Sequence, residues 1–104
     1  MPPIHRKLLN AATAPGAGPK IVDAEGITAA SMQAMYTGKR IEIEVKGLMI
    51  GSQVAATIER LNSLNCKSGA IVSVDNWPVG ITEVWAELVS VDSGEVSLYF
   101  CGRE

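Results

Sequence analysis

Few side chains in this sequence could carry chemistry, and their spacing decides what each can do. A Ser-His-acid or Cys-His hydrolase would need the single histidine, His5, held against a nucleophile by a third group. His5 lies instead in a stretch stiffened by Pro2, Pro3, Pro15 and Pro19 and loosened by Gly16 and Gly18. Such a stretch packs no core of its own, and a proton acceptor not held at hydrogen-bond distance is a poor general base. Glu42 and Glu44 resemble the paired carboxylates of a glycosidase on paper. They alternate, however, with Ile41, Ile43 and Val45 in the run Lys39 to Lys46, which puts them on the solvent face of a strand. Cys66 and Cys101 with one histidine do not supply the four ligands of a zinc site, and one cysteine pair sets up no disulfide framework, so both are expected as reduced, half-buried thiols. Gly16-Ala17-Gly18-Pro19 lacks the third glycine and the preceding strand of a dinucleotide fingerprint. No catalytic residue, metal or cofactor is assigned, and the chain is expected not to be an enzyme.

What remains is apolar and aromatic. Trp77, beside Pro78 in a loop, and Trp85, in mid-strand, suit three roles: interface anchor, lid on a core, or platform for a sugar ring. The short apolar tip Leu48-Met49-Ile50, bracketed by Gly47 and Gly51, is a contact surface if exposed. In the N-terminal segment Ile4, Leu8 and Leu9 stand beside His5, Arg6 and Lys7. They are either part of a frayed terminus or the anchors of an arm that orders on a partner.

Composition limits the partners. The 104 residues, 47% hydrophobic and 19% charged, suffice for one domain. A net charge of −2 provides no broad cationic field for nucleic acid or an anionic membrane surface. No apolar run approaches the roughly 20 residues that span a bilayer, and at the start only Leu8 and Leu9 are strongly apolar before Asn10, so a signal-peptide h-region is missing.

The elements that must position these residues are short strands spaced about ten residues apart, a sandwich or barrel pattern. Residues 1–20 are expected as an arm and 21–104 as a single antiparallel β-sandwich, jelly-roll or Ig-like. Gln53 to Leu64 fits helical and strand periods equally; its flanks favour a strand over 53–60, followed by a turn at Asn62-Ser63-Leu64-Asn65. Ala70 to Val74 is a further strand, closed by a loop from Asp75 to Gly80. Ile81–Val91 and Glu95–Cys101 are expected as a β-hairpin turning at Asp92-Ser93-Gly94. Val96, Leu98 and Phe100 lie opposite Ser97, Tyr99 and Cys101, and Val84, Ala86 and Leu88 opposite Trp85, Glu87 and Val89. Such two-sided strands are either central or reserved for another chain.

The order of pieces from Leu9 onward resembles small β-sandwich virion proteins of tailed bacteriophages. The features that match are Ala12-Thr-Ala-Pro-Gly-Ala-Gly18, the alternating strand ending in glycine, Ala56-Thr57-Ile58-Glu59 before a polar turn, and the terminal run Trp85 to Tyr99. The insertion of Arg60-Leu61 after the Ile-Glu pair and the long stretch Ser31 to Lys39 depart from that pattern. The resemblance implies a binding component of the virion, assembled in the host cytoplasm. It points first to a capsid decoration (cement) protein on the major capsid protein or another virion protein, self-associating as a trimer. A head-tail, tail or fibre adaptor is the alternative it implies, and a carbohydrate-binding module for host attachment the second.

Overall fold

Alternation of apolar and polar side chains imposes a two-residue period on this chain, and strands result. The computed structural model describes residues 4–74 and 76–103. They form β1 (Ile4–Ala12), β2 (Gly16–Ala17), β3 (Ala29–Tyr36), β4 (Ile41–Met49), β5 (Ala56–Asn62), β6 (Ile71–Val74), β7 (Ile81–Val91) and β8 (Val96–Arg103). One sheet has the order β1-β8-β3-β6 and the other β2-β7-β4-β5. All neighbours are antiparallel. The pairs β1 with β8, β2 with β7, β3 with β6 and β4 with β5 are nested, as in one long hairpin rolled over on itself. Of the two sandwiches the sequence allows, this is the eight-stranded jelly roll.

The core follows the alternation. Ile41, Ile43 and Val45 of β4 and Val84, Ala86 and Leu88 of β7 face Met32, Ala34, Val96, Leu98 and Phe100 of the opposite sheet, and all are buried. The stretch 53–64 is a strand, as expected, but begins at Ala56 and runs to Asn62, because Ser52 Oγ accepts from the Val54 amide in a local turn. Beyond it Asn62 Oδ1 accepts from the amides of Leu64 and Asn65, and Asn65 Oδ1 from that of Asn62, closing the expected turn.

Two expectations need correction. β7 and β8 have nearly the expected bounds but are no hairpin. β7 uses its edges on β2 and β4, and β8 on β1 and β3, so residues 92–95 carry the chain from one sheet to the other. This crossover is fastened to the β3–β4 crossover. Asp92 Oδ1 accepts from the Lys39 and Arg40 amides at 3.1 Å each, Thr37 Oγ1 accepts from the Glu95 amide at 3.0 Å, and Gly94 takes a φ of 72° that favours glycine.

The second correction concerns the arm. From Ile4 to Ala12 it is a strand of the sheet, and residues 1–3 lie outside the described residues. Its register against β8 slips between Lys7 and Leu9 and again between Leu9 and Ala12. The first slip is a bulge, which lets two consecutive side chains, Leu8 and Leu9, both point inward, and both are buried in the domain's own core. At the second, Ala11 adopts a φ of 50° and donates its amide to Ser97 Oγ at 2.9 Å. The chain then crosses to β7 through β2 and the Ile21–Val84 bridge, with Gly18 passing so close to the Leu8 carbonyl that a Cβ would collide with it. Residues 4–24 therefore close one side of the sandwich.

The crossover clasp gives a pH-dependent expectation. The Arg40 amide, with those of Lys39 and Ser93, holds the Asp92 carboxyl below its usual 3.8, against a smaller opposing effect of desolvation. With the folded value depressed, the unfolded chain binds more protons in the acid range. The contribution is complete above the unfolded value and is lost as pH falls through the folded one. Thermal melts of Asp92→Ala should therefore lie below wild type at neutral pH, and the two should converge as pH falls through the depressed folded-state value. A gap that persists unchanged in acid would show that the carboxylate's charge is not what the clasp uses.

Candidate functional site

The sequence-derived candidates separate into four places. Leu8 and Leu9 are core, and Ile4 is half-buried against it. Trp77, beside Pro78 in its loop, is only 3% exposed. Its ring packs against Phe100 of β8 with centroids 5.6 Å apart at 58°, which makes it a lid on the core rather than a platform for a ligand; Asp75, at the start of that loop, lies outside the described residues. Trp85 stands half-buried on the outer face of the β2-β7-β4-β5 sheet, with Lys20 Nζ 4.7 Å above its ring. His5 and Arg6 are exposed on β1.

Trp85 belongs to a face whose charges satisfy each other. Cross-strand pairing places Glu44 between Arg60 and Glu87, and Lys46 beside Trp85. Lys46 Nζ is 2.6 Å from Glu87 and 3.7 Å from Glu44, Arg60 Nε is 3.4 Å from Glu44, and Lys20 reaches Glu83 at 4.0 Å. The Glu87 hydrogen bond raises the Lys46 pKa, against a smaller opposing effect of desolvation. Glu44 thus lies within this charge network and Glu42 on the same outer face beside Asn62 and Ser90, as their alternation suggests.

Met49 and Ile50 are the two candidates the structure brings together, and it adds a third residue to them. The β4–β5 loop meets the β6–β7 loop where the Ile50 amide donates to the Gly80 carbonyl at 2.8 Å. Gly80, at a φ of 88°, has no side chain to separate the loops; its Cβ position lies 3.8 Å from Ile50 Cγ2 and 4.0 Å from Met49 Cγ. At this junction Met49 is 48%, Ile50 64% and the adjoining Val79 78% exposed, with Val54 also exposed in the same loop as Ile50. Sequence reasoning found the first loop from its apolar run between glycines. It missed Val79, because a lone valine between Pro78 and Gly80 gives no periodic signal and its neighbour comes from another part of the chain.

The thiols offer little. Cys66 and Cys101 are unbridged, and burial pushes the Cys66 thiol up, partly opposed by the Ala34 backbone, which leaves it a weak nucleophile. Among the described residues no three His, Cys, Asp or Glu side chains gather as a metal site. What the loop junction can do is exclude water against another surface.

No protein-family pattern and no curated protein sequence matches the chain. Among solved structures, the fold is similar to that of the SPBc2 prophage-derived protein YomS, with a TM-score of 0.67 and 16% sequence identity over 98% of this chain and 95% of that one. At this level of identity the likeness is one of fold.

Proposed function

We propose that this protein is a structural component of a tailed-bacteriophage virion, most simply a decoration protein that docks on the major capsid protein through the loop end formed by Met49, Ile50 and Val79. The observation that carries this reading is the exposure of three large apolar side chains at one junction of two loops. Apolar side chains gathered on one exposed surface mark a place where another molecule docks. Fold likeness over nearly the whole length to a prophage-derived protein, together with the virion-protein pattern in the sequence, supports a phage setting. Each apolar side chain withdrawn from water contributes about 1.5–3 kcal/mol, and repetition over a lattice, with association of the domains in threes, multiplies a modest affinity per copy.

The test uses purified particles of the phage that encodes the chain. Quantitative mass spectrometry should find it in many copies per particle; a handful would move it to the tail or head-tail junction, and none would end the virion reading. Replacing Met49→Asp together with Ile50→Asp should weaken co-sedimentation with particles on the order of a hundredfold. Thermal stability should change by less than about 0.5 kcal/mol because both positions are exposed. Undiminished co-sedimentation of this variant would remove the loop end from the interface.

A further inference from the structure

Strand β1 stands at the edge of its sheet, hydrogen-bonded to β8 alone, with Leu8 and Leu9 as its buried anchors. What ties it to its own domain is the connection to β2, the stretch from Asn10 to Pro15, in which all but the half-buried Ala12 are exposed. Identical chains can exchange an element at the end of such a connection, because the contacts re-formed between copies are the ones given up within each.

The connection is strained. Ala11 has a φ of 50°, and among the described residues it is the one non-glycine at a positive φ, a region that the Cβ of an L-residue disfavours. It stands in the second register slip, where Asn10 and Ala11 together fall opposite Ser97, and its amide is fixed there by Ser97 Oγ at 2.9 Å. The bend is needed because the chain must leave β8 in one sheet and reach β7 in the other by Gly16 and Ala17, with only Thr13 to Pro15 between. A short connection under strain favours exchange of the element it leads to, since a chain running on to a neighbour has no such bend to make.

We propose that β1 is exchanged between copies of this chain. Ile4 to Leu9 of one copy lie on β8 of the next, with Leu8 and Leu9 in that copy's core, and Asn10 to Pro15 straighten into the link, where Ala11 returns to an extended φ. The core is the same in both forms, so the hinge and the association itself decide between them. Buried Leu8 and Leu9 keep β1 from leaving a finished domain, so the choice is made as the chain folds and is weighted toward exchange where chains are crowded. Exchange between two copies gives a dimer, and passed round a threefold axis it closes a ring of three; in either, another chain fills the β8 edge. The loop end of Met49, Ile50 and Val79 takes no part, so this inference stands or fails separately from the docking proposed there.

The strand register supplies the readout. His5 and Cys101 are directly opposite on β1 and β8, at a separation that a disulfide spans, and Cys101 is a free thiol. Oxidation of a His5→Cys variant therefore joins β1 to whichever β8 it lies on. The variant is refolded from urea at about 1 µM and at about 1 mM chain, below and near the effective concentration of a short tether, oxidised, and run on a non-reducing denaturing gel alongside light scattering of the native sample. The expected result is internally bridged monomer at the low concentration and covalently joined chains at the high one. Adding Ala11→Gly, which relieves the closed hinge, should lower the joined fraction on the order of tenfold. Deleting Thr13 and Ala14, which leaves too little chain to cross within one domain, should give joined chains at both concentrations. Internal bridges alone in the full-length variant at both concentrations would overturn the proposal. So would a joined fraction that Ala11→Gly leaves unchanged, or one that persists when Cys101→Ser is added. Oligomers seen by light scattering that contain only internal bridges would also overturn it, by giving their assembly to another surface.

Discussion

A chain lacking residues 1–12 is expected to show no cooperative unfolding transition at 25 °C. The deletion removes all of β1, which is registered against β8 from Ile4 opposite Gly102 to Ala12 opposite Val96, and leaves that edge of β8 without a partner. It also removes Leu8 and Leu9, at 1% and 3% exposure, from between the sheets. Truncating one buried leucine to alanine costs about 2–5 kcal/mol, and a domain of this size has only about 5–15 kcal/mol in total. Two such losses together with a lost strand exhaust that margin. Leu8→Ala alone should fold and lose about 2–5 kcal/mol in urea denaturation. A truncated chain with a wild-type melting curve would show the segment to be an appendage after all. The outcome bears on function too: capsid binding lost on truncation would report unfolding, so the loop end must be tested by substitution.

Some of this architecture is legible in the sequence because it depends on near neighbours. The alternation of Ile41, Ile43 and Val45 with charged residues puts β4's faces in their observed sense, and the turn at Asn62 to Asn65 is written in side chains that bond their own backbone. The turn at Asp92-Ser93-Gly94 is of the same kind, although the strands it joins lie in different sheets. What could not be read depends on residues distant in sequence. Leu8-Leu9 fits neither period, and the bulge that buries both is imposed by the slip of β1 against β8. That β7 and β8 part into different sheets is decided by competition for strand edges, since β2 and β4 take those of β7, and β1 and β3 those of β8. The Lys7–Tyr99 contact has the same cause: alternation sets Tyr99 on the face opposite Phe100, but only the β1–β8 pairing brings Lys7 beside it.

Trp77 shows how tertiary packing overrides a local signal, and it carries the second large expected effect. Its place before Pro78 suggests an exposed ring, yet the ring is enclosed and packed on Phe100. Trp77→Ala should therefore lower the unfolding free energy by about 3–5 kcal/mol, measurable by urea denaturation. Trp77→Phe should cost much less than its loss of volume suggests. Among the described residues the Trp77 Nε1 has no hydrogen-bond partner, and an unsatisfied buried donor is a penalty of about 1–3 kcal/mol; phenylalanine removes that donor while keeping an aromatic face for Phe100. Acrylamide gives an independent check, because the chain has two tryptophans: fluorescence should be quenched strongly in Trp77→Phe, where only Trp85 remains, and weakly in Trp85→Phe. An alanine variant as stable as wild type would return the ring to the surface. With Trp77 as the lid, Trp77→Ala also loosens the loop that presents Val79. Weaker docking in that variant would then reflect a displaced loop end rather than a lost contact, and the Asp substitutions at Met49 and Ile50, exposed residues outside the core, separate the two.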